Sequence, residues 1–316
     1  MSRDALGHWP DLRFRLYQAA CTIIPWIPYR AGIVLALGLG WIAWFCDAPG
    51  RAQLRRNILP LLHGRKRRGI AICIRRNYCN CAMMFNDSFR LGSLPRWLLD
   101  PAQITVIDPY GSLHPRPLPQ ATILCTIHCH WELLLAVGRS LGLTDSLRVI
   151  ARSHDDPRVD ALFDRLRAAH GARSVLLDEA PLASLRALRR GRCLGIVADR
   201  DYTNHGRTTH FAGRHLPLPI GPAALALQTS SPIIPLLLLR QGHKRLILLA
   251  GKTLIPPDLD GGSNKHQLLA ALHQQLATTL NRFVHAAPSQ WVAFHSLQNN
   301  AQHTNAPHHK LPVKRK

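Results

Sequence analysis

The sequence predicts an α/β protein in which a largely parallel, mixed sheet is flanked by helices and follows an N-terminal helical segment. Three observations support this fold class. Short strand-like runs begin near residue 104, helix-like stretches alternate with them, and a long uncharged apolar run lies near the N-terminus. Strands that alternate with helices run mostly parallel, and the helices cover both faces of the sheet. With 316 residues, 47% of them hydrophobic, the chain can bury such a core.

Seven short runs rich in leucine and β-branched residues are the predicted strands. The stretches between them place apolar residues three or four positions apart and mostly end at glycine, as helices do. The strand runs lie at residues 104–108, 122–127, 147–151, 174–178, 193–199, 233–239 and 246–251, and the helical stretches at 131–142, 158–171, 180–191 and 221–230. In open sheets of this type, functional side chains collect where strands end and helices begin.

The N-terminal apolar run, AGIVLALGLGWIAWFC at residues 31–46, contains no charged residue. As a helix it would be about 24 Å long, which is short of the bilayer hydrocarbon thickness of about 30 Å. Trp41 and Trp44 suit the headgroup level, and Arg51, Arg55 and Arg56 follow as a basic flank. We therefore predict a membrane-inserted or interfacial helix, with a buried core helix as the alternative.

The chain is strongly basic, because 40 Lys and Arg residues outnumber 18 Asp and Glu residues and give a formal net charge of +22. Such a charge favours a polyanionic partner, either nucleic acid or the anionic face of a membrane. The basic residues are mostly scattered, and the few aromatic residues are not interleaved with arginine as a nucleic-acid stacking surface requires. Membrane lipids are therefore the expected partner, and no nucleic acid is expected.

The domain organisation follows from composition. We expect a membrane-associated helical region over residues 1–100, an α/β domain over 101–298 and a disordered basic tail over 299–316. The start of the sequence does not have the pattern of a cleavable signal, so the eight cysteines are expected to be reduced and packed as small hydrophobic residues in a cytosol. Cys79 and Cys81 are too close for a typical zinc knuckle, and no metal site is expected.

The stretch TIHCHWELLLA at residues 126–136 joins a predicted strand to a predicted helix. A carboxylate at Glu132 could fix the tautomer of His128, which would then accept a proton from a hydroxyl group through its other ring nitrogen. That is general-base chemistry for acyl transfer to an alcohol. Three other readings remain open here: a histidine that caps the helix, a glutamate that complements the helix dipole, and a metal site with Cys125 and Cys129.

The motifs of the chain resemble a known family. RLRAAHGA, LRRGRCLGIVADRD and THFAGRHLPLPIGPAALALQTSSPIIPLLLLR are similar to segments of the bacterial lipid A late acyltransferases and phosphatidylinositol mannoside acyltransferases, within the lysophospholipid acyltransferase superfamily. The resemblance covers roughly residues 13–282. It implies a membrane-associated O-acyltransferase at the cytoplasmic face of the inner membrane. Such an enzyme moves a fatty acyl group from acyl-CoA or acyl carrier protein to a hydroxyl of a glycolipid or lysophospholipid, such as a lipid A precursor, and needs no other cofactor.

The resemblance also implies catalytic roles for three residues. His128 would be the general base, Glu132 the acidic end of the family's histidine signature, and Asp199 the acidic residue that orients the histidine. This chain departs from the signature, because three residues separate His128 from Glu132 where the family usually has four. His130 is the fallback base, but residues two apart do not face each other on a helix.

Five further residues match substrate-binding segments of the family. They are Arg167, Arg200, Asp201, Gly213 and Arg214. Arg167 matches an arginine implicated in binding the acceptor or an intermediate, and the last two match the acceptor-side loop. Ala212 stands in that loop where family members usually have a second phenylalanine. The alternative function is a catalytically inactive, basic lipid- or nucleic-acid-binding protein that retains the fold.

Overall fold

The N-terminal part of the chain is helical. The structure is a computed structural model that describes residues 8–242, 244–257 and 264–297. The helices are α1 (His8–Ile23), α2 (Tyr29–Cys46), α3 (Ala48–Ile58) and α4 (Arg67–Phe89). Asp47 lies between α2 and α3. It caps the N-terminus of α3, because its carboxylate accepts a hydrogen bond of 2.8 Å from the backbone N–H of Gly50. The basic tail expected at residues 299–316 lies outside the described residues.

The remainder of the chain alternates strands and helices, as predicted. The strands are β1 (Ile104–Ile107), β2 (Ile123–Thr126), β3 (Leu147–Ala151), β4 (Ala172–Leu176), β5 (Cys193–Val197), β6 (Arg207–Phe211), β7 (Arg214–Leu218), β8 (Ile233–Gln241) and β9 (Arg245–Ala250). The helices are α5 (Trp131–Ser140), α6 (Pro157–Ala168), α7 (Ala180–Arg189), α8 (Gly221–Thr229) and α9 (Lys265–Ala286).

Seven of these strands form one mixed sheet in the order β1-β9-β8-β2-β5-β3-β4. All neighbouring pairs are parallel except β8 and β9, which are antiparallel. The predicted fold class is therefore confirmed. At the centre of the sheet, β5 lies between β2 and β3, so the carboxyl ends of these three strands meet at one edge. That edge carries the candidate site.

The hairpin formed by β6 and β7 is absent from the predicted strands, because the FAGR motif at its centre is expected to be a loop. Its two-residue turn consists of Ala212 and Gly213, with φ of 52° and 73°. Two consecutive positive φ values are typical of the hairpin turns whose twist matches that of the strands. The missed signal is the alternation of buried and exposed residues along β6 and β7.

The sheet has apolar side chains on both faces. Along β8, Ile233 and Leu237 pack in a cluster with α8 and α9, while Ile234, Leu236 and Leu238 pack in a second cluster with α5 and α2. Successive residues of a strand point to opposite faces, so a central strand with helices on both sides is almost continuously buried. This burial holds the strand ends, and hence the site, in place.

Helix α2 packs closely against α4 through small residues. Gly32, Ala36 and Gly40 recur every fourth position on the buried face of α2. A Cβ atom on Gly40 would lie only 2.7 Å from the Cα atom of Cys79 in α4, so the two backbones can approach as they do only because position 40 is glycine. The opposite face of α2 is apolar and exposed, with Leu39 63% accessible.

In the part of the chain that the structure describes, Tyr29–Cys46 is the one helix long and apolar enough to cross a membrane. Its 18 residues correspond to about 27 Å at 1.5 Å per residue. Only about a quarter of this helix is buried against the protein, which distinguishes it from an ordinary core helix.

A buried ion pair joins the helical part to the sheet. The guanidinium of Arg240 in β8 pairs with the carboxylate of Asp87 in α4, and both side chains are almost completely inaccessible. The hydroxyl of Tyr29 in α2 donates to the other oxygen of Asp87 at 2.9 Å and accepts from Arg240 at 2.9 Å. Because every partner in the network is itself buried, loss of one would leave a charge without compensation.

The segment after α9 returns to the body of the protein and packs against α3, α4 and the turn that follows β2. Asn77 of α4 donates to the backbone carbonyl of Trp291 at 2.7 Å, and Asn57 of α3 donates to the carbonyl of Ala293 at 2.7 Å. The backbone N–H of Val292 donates to the carbonyl of His128 at 2.8 Å. These bonds bring the end of the described chain directly beneath the turn that follows β2.

Candidate active site

His128 lies in a tight turn between β2 and α5. The N–H of Cys129 donates to the carbonyl of Ile127 at 2.6 Å, which closes a three-residue turn centred on His128. The imidazole Nδ1 lies 2.6 Å from Oδ1 of Asp199, and the backbone N–H of His128 donates to the same oxygen at 3.1 Å. Asp199 comes two residues after the end of β5, the neighbour of β2. The sheet therefore brings together two residues that are 71 positions apart.

Trp291 completes the surroundings of Asp199. Its indole N–H donates to Oδ2 of Asp199 at 2.6 Å, and the tryptophan side chain is fully buried. Each oxygen of the carboxylate is thus bonded, one to His128 and the other to Trp291. A carboxylate held at both oxygens fixes the orientation of the imidazole, and it favours the tautomer with the proton on Nδ1.

The electrostatics of this pair suit a general base. Burial lowers the pKa of His128 from its usual value, and the negative charge of Asp199 only partly offsets that effect. Burial alone would raise the pKa of Asp199, but the adjacent imidazole, Arg200 and Trp291 lower it to about 2. At neutral pH the carboxylate is therefore ionised and the imidazole is neutral. Nε2 of His128 makes no hydrogen bond with any described residue and remains available to a substrate.

The carboxylate that holds His128 is therefore Asp199 and not Glu132, which corrects the expectation for Glu132. Glu132 lies in the first turn of α5 and is buried, and both of its oxygens accept from Nε of Arg167 in α6, at 3.0 and 3.2 Å. A second guanidinium nitrogen of Arg167 also donates to Glu132, and Nη1 donates to Ser174 at 2.9 Å. The pair links α5 to α6 and β4 at the wall of the site.

His130, the fallback base, lies outside the site. It is 1% exposed and adopts a left-handed backbone conformation with φ of 47°, directly before α5. Burial lowers the pKa of His130 to about 3, so the ring is neutral at physiological pH. It is not among the residues that line the cavity described below.

Arg200 and Asp201 both lie at the cavity but differ in their contacts. Arg200 is 8% exposed, and its Nε and Nη2 atoms are buried without a hydrogen-bond partner among the described residues. Asp201 organises the following turn, since it accepts from the backbone N–H of Thr203 at 2.9 Å and from that of Gly206 at 2.7 Å. Arg200 thus has donors to offer a ligand, whereas the hydrogen bonds described for Asp201 are those of a turn.

Gly213 and Arg214 do not line the cavity, although a substrate contact was expected of both. They lie at the tip of the β6–β7 hairpin, which packs on the segment after α3. A Cβ atom on Gly213 would lie 2.5 Å from Cβ of Pro60, and the guanidinium of Arg214 donates to the backbone carbonyl of Arg56. These contacts attach the hairpin to the N-terminal helical region.

A cavity of about 550 Å³ opens in front of His128. Its walls come from α1, α4, α5, α6, α7 and α8, from the ends of β3 and β5, and from the loops that follow β2, β3 and β5. Many of the lining side chains are apolar, which suits a fatty acyl chain. They include Met84, Phe85, Phe163, Leu177, Ile196 and Leu225. The polar lining groups include His128, Glu132, His154, Arg167, Arg200 and Asp201.

Two residues of the site are not predicted by the sequence motifs. The first is Trp291, for which no motif predicts a role and whose indole N–H donates to Asp199. The second is His154, which follows β3 and lines the cavity. Its position directly after a predicted parallel strand is the signal that could have identified it, because functional side chains collect at such strand ends. Within residues 8–242, 244–257 and 264–297, no group of three or more His, Cys, Asp or Glu side chains is placed to hold a metal ion.

Comparisons with known proteins agree with the motifs. A family model described as bacterial lipid A biosynthesis acyltransferase matches residues 5–298. No curated protein matches the chain. Among solved structures, the 1-acyl-sn-glycerophosphate acyltransferase from Thermotoga maritima is 13% identical, with a TM-score of 0.37 over 81% of this chain and 97% of that chain. A likeness at that TM-score adds nothing to the fold or the site described above.

Proposed function

Because the chain belongs to the bacterial lipid A biosynthesis acyltransferase family, we propose that His128 is the general base of an acyl transfer from a thioester to a hydroxyl group of a membrane lipid. Family membership makes the protein an acyltransferase that acts on lipids. The proposed acceptor is a glycolipid or lysophospholipid of the lipid A precursor or phosphatidylinositol mannoside type. The proposed donor is acyl-CoA or acyl carrier protein, without a further cofactor.

The observation that carries this proposal is the fixed imidazole of His128 at the wall of an apolar cavity. Asp199 holds Nδ1 at 2.6 Å, and Nε2 is left for the substrate. A base must be unprotonated to accept a proton, and the lowered pKa of His128 keeps it so at neutral pH. The cavity is large and apolar enough for part of an acyl chain beside this nitrogen.

The reaction can be written with these groups. Nε2 of His128 accepts the hydroxyl proton while the hydroxyl oxygen attacks the thioester carbonyl carbon. The carbon–sulfur bond of the resulting tetrahedral intermediate breaks, and the thiolate leaves with the proton returned by the imidazolium. The products are an ester and a free thiol. Asp199 stabilises the imidazolium between the two proton transfers, because its carboxylate remains ionised.

Arg200 and Arg167 have separate proposed roles. The unpartnered donors of Arg200 lie beside the dyad and would stabilise negative charge that develops on the thioester oxygen. Arg167 is already bonded to Glu132, so it shapes the cavity wall and positions the substrate. Cys125 and Cys129 are buried, and burial raises the pKa of both thiols, so neither is proposed as a nucleophile.

The proposed location is the cytoplasmic face of the inner membrane. The apolar exposed face of α2, followed by Arg51, Arg55 and Arg56, supports contact with an anionic leaflet. All eight cysteines are unpaired, as in proteins of a reducing compartment. Acyl-CoA and acyl carrier protein are acidic, and the net charge of +22 would attract either donor.

The test compares two neighbouring histidines in the full-length protein. Purified protein in lipid nanodiscs is given radiolabelled acyl-CoA or acyl carrier protein with a panel of glycolipid and lysophospholipid acceptors. His128→Asn is expected to lower kcat by about 100- to 10,000-fold, because the proton acceptor is removed. His130→Asn is the control, since asparagine tolerates its left-handed backbone and the ring lies outside the cavity.

Two results would contradict the proposal. Full transfer by the His128→Asn variant would show that another group is the base. Absence of transfer by the folded wild-type protein with every donor and acceptor would favour the alternative, a catalytically inactive lipid-binding protein that retains the fold.

A further inference from the structure

The cavity contains a second histidine that is held in the same way as His128. His154 follows β3, and its backbone N–H and ring Nδ1 both bond to Oδ1 of Asp160, at 3.0 and 2.5 Å. For His128, the same two groups bond to one oxygen of Asp199, at 3.1 and 2.6 Å. Because Asp160 occupies Nδ1, Nε2 of His154 is left for a ligand in the cavity.

The orientation of this second ring is fixed from several sides. Ser153 donates to Oδ2 of Asp160 at 2.9 Å, so both carboxylate oxygens are bonded. The ring of Phe163 stacks on the imidazole with centroids 5.5 Å apart and an interplanar angle of 7°. The imidazole is 30% exposed, which leaves it accessible from the cavity. A ring restrained in this way loses little conformational entropy when it binds a ligand.

The two histidines follow strands that are not neighbours in the sheet. β5 lies between β2 and β3, so the strand ends that carry them are two strand spacings apart, or about 10 Å. Both nevertheless line one cavity. A substrate that places its reacting atom at His128 can therefore place a different group at His154.

The surroundings of His154 favour an anionic group. Arg152 lies at the same strand end and lines the cavity, with its guanidinium carbon 5.5 Å from the centre of the Tyr202 ring. No carboxylate among the described residues forms an ion pair with Arg152. The acidic residues of the adjoining loop already have partners, because Asp155 pairs with Arg13, and Asp156 with Arg158. Arg152 thus carries a positive charge without an ion-pair partner among the described residues, and it lines the same cavity as the fixed imidazole two positions further along the chain.

We propose that Arg152 and His154 form a phosphate-binding subsite, which holds a phosphate group of the substrate whose reacting atom lies at His128. The chemistry fits a phosphate, since a guanidinium donates two parallel hydrogen bonds to phosphate oxygens. Nε2 of His154 adds a second polar contact for the phosphate, because it has no hydrogen-bond partner among the described residues. This inference rests on the proposed acyl transfer, and it adds that one of the two substrates is bound through its phosphate.

The phosphate has two possible sources, which a binding experiment separates. The phosphate of the donor is represented by coenzyme A, with pantetheine as the probe that lacks phosphate. The phosphate of the acceptor is represented by lysophosphatidic acid, with monoacylglycerol of the same chain length as its matched probe. Affinities are measured by isothermal titration calorimetry on the full-length protein in detergent micelles, and no turnover is needed.

The variants are Arg152→Gln and His154→Asn, with Arg148→Gln as the control. Arg148 is on β3 as well but does not line the cavity. For one of the two phosphate probes, each site variant is expected to raise Kd by about 10-fold or more, because a charge-assisted hydrogen bond is lost. The phosphate-free partner of that probe and the control variant should be unaffected.

Three outcomes would overturn this proposal. They are unchanged affinity of both site variants for both phosphate probes, an equal loss for the phosphate-free probes, and no binding of either phosphate probe by the wild-type protein. The acyl-transfer proposal fails separately, since transfer by His128→Asn would refute the base while the phosphate affinities stand by themselves.

Discussion

Asp199 and Glu132 are both acidic, both buried and both close to His128 in the fold or the sequence, yet only Asp199 bonds to the imidazole. The two carboxylates differ in their hydrogen-bond partners. Glu132 accepts hydrogen bonds from the guanidinium of Arg167, whereas the second oxygen of Asp199 accepts one from the indole N–H of Trp291. A neutral donor such as indole leaves the carboxylate charge to act on the imidazole, whereas an arginine compensates it.

The residue-scale prediction concerns the pH profile. Asp199→Asn is expected to lower kcat by at least about 100-fold, because the imidazolium loses its counter-charge. The charge of Asp199 raises the pKa of His128 against the effect of burial, so its removal lowers that pKa further. The acidic limb of kcat/KM, below pH 6.5 in the wild-type protein, should therefore move to lower pH.

Glu132→Gln provides the comparison for this measurement. Glu132 does not contribute to the shift in the pKa of His128, so the acidic limb should stay in place even if the loss of the Arg167 pair lowers activity. A limb that moves in Glu132→Gln and stays fixed in Asp199→Asn would show that the carboxylate assignments are reversed. Kinetics over pH 4.5–8.5 with one donor and one acceptor suffice for both variants.

At the scale of secondary structure, the shortened turn after β2 is accommodated locally. The three-residue turn centred on His128 and the left-handed conformation of His130 together reverse the chain into α5 within a few residues. The carbonyl of His128 is also bonded to Val292. This short turn leaves His128 at the strand end, where it bonds to Asp199, and places Glu132 against Arg167.

The close approach of α2 to α4 predicts that alanine substitutions at two glycines of α2 change the free energy of unfolding in opposite directions. Gly40→Ala places a Cβ atom against the backbone of Cys79 and is expected to cost about 1–3 kcal/mol of unfolding free energy. Gly38→Ala faces open space, and alanine favours a helix over glycine by about 1 kcal/mol, so this variant should be as stable as the wild-type protein or more so.

Thermal unfolding followed by circular dichroism in detergent measures both variants. Equal destabilisation by the two substitutions would contradict the described packing of α2. Stabilisation by Gly40→Ala would contradict it as well, because no space is available for a methyl group at that position unless the helices separate.

At the scale of the whole molecule, we propose that the exposed face of α2 and the net charge both act on an anionic membrane. The apolar face would supply burial in the lipid interface, and the positive charge would supply attraction to anionic headgroups. We predict that the protein binds anionic vesicles more tightly than zwitterionic ones. The difference should shrink as salt rises from 50 to 500 mM, since salt screens charge and not apolar burial.

A triple variant tests the apolar contribution to this binding. Leu35→Ser, Leu39→Ser and Ile42→Ser together are expected to weaken vesicle binding by about 10-fold or more at every salt concentration, because all three side chains are more than half exposed. The control substitutes two leucine-sized residues of similar exposure elsewhere, Leu182→Ser and Ile255→Ser. Flotation assays measure the bound fraction, and equal losses in both variants would contradict the membrane-facing role of α2.

The family resemblance read from the motifs is confirmed, since the family model matches residues 5–298. The motifs of this family are short runs of consecutive residues, so they can be recognised in a single sequence. ADRD and FAGR are such strings, but only the first lies at the cavity. The second is recognisable because a hairpin turn needs glycine at Gly213, which illustrates that a motif can mark packing as well as chemistry.

The sequence by itself determined the alternating strands and helices, the apolar helix α2, the basic charge and the histidine at a strand end. These properties are local, because periodicity, turn residues and composition act over a few positions. Only the tertiary structure decided that Asp199 and not Glu132 holds His128, that Trp291 holds Asp199, and that His154 shares the cavity. Such side-chain contacts depend on which strands become neighbours in the sheet and on which competing partner lies within hydrogen-bond distance. Spacing along the chain predicts neither the strand order nor the partner.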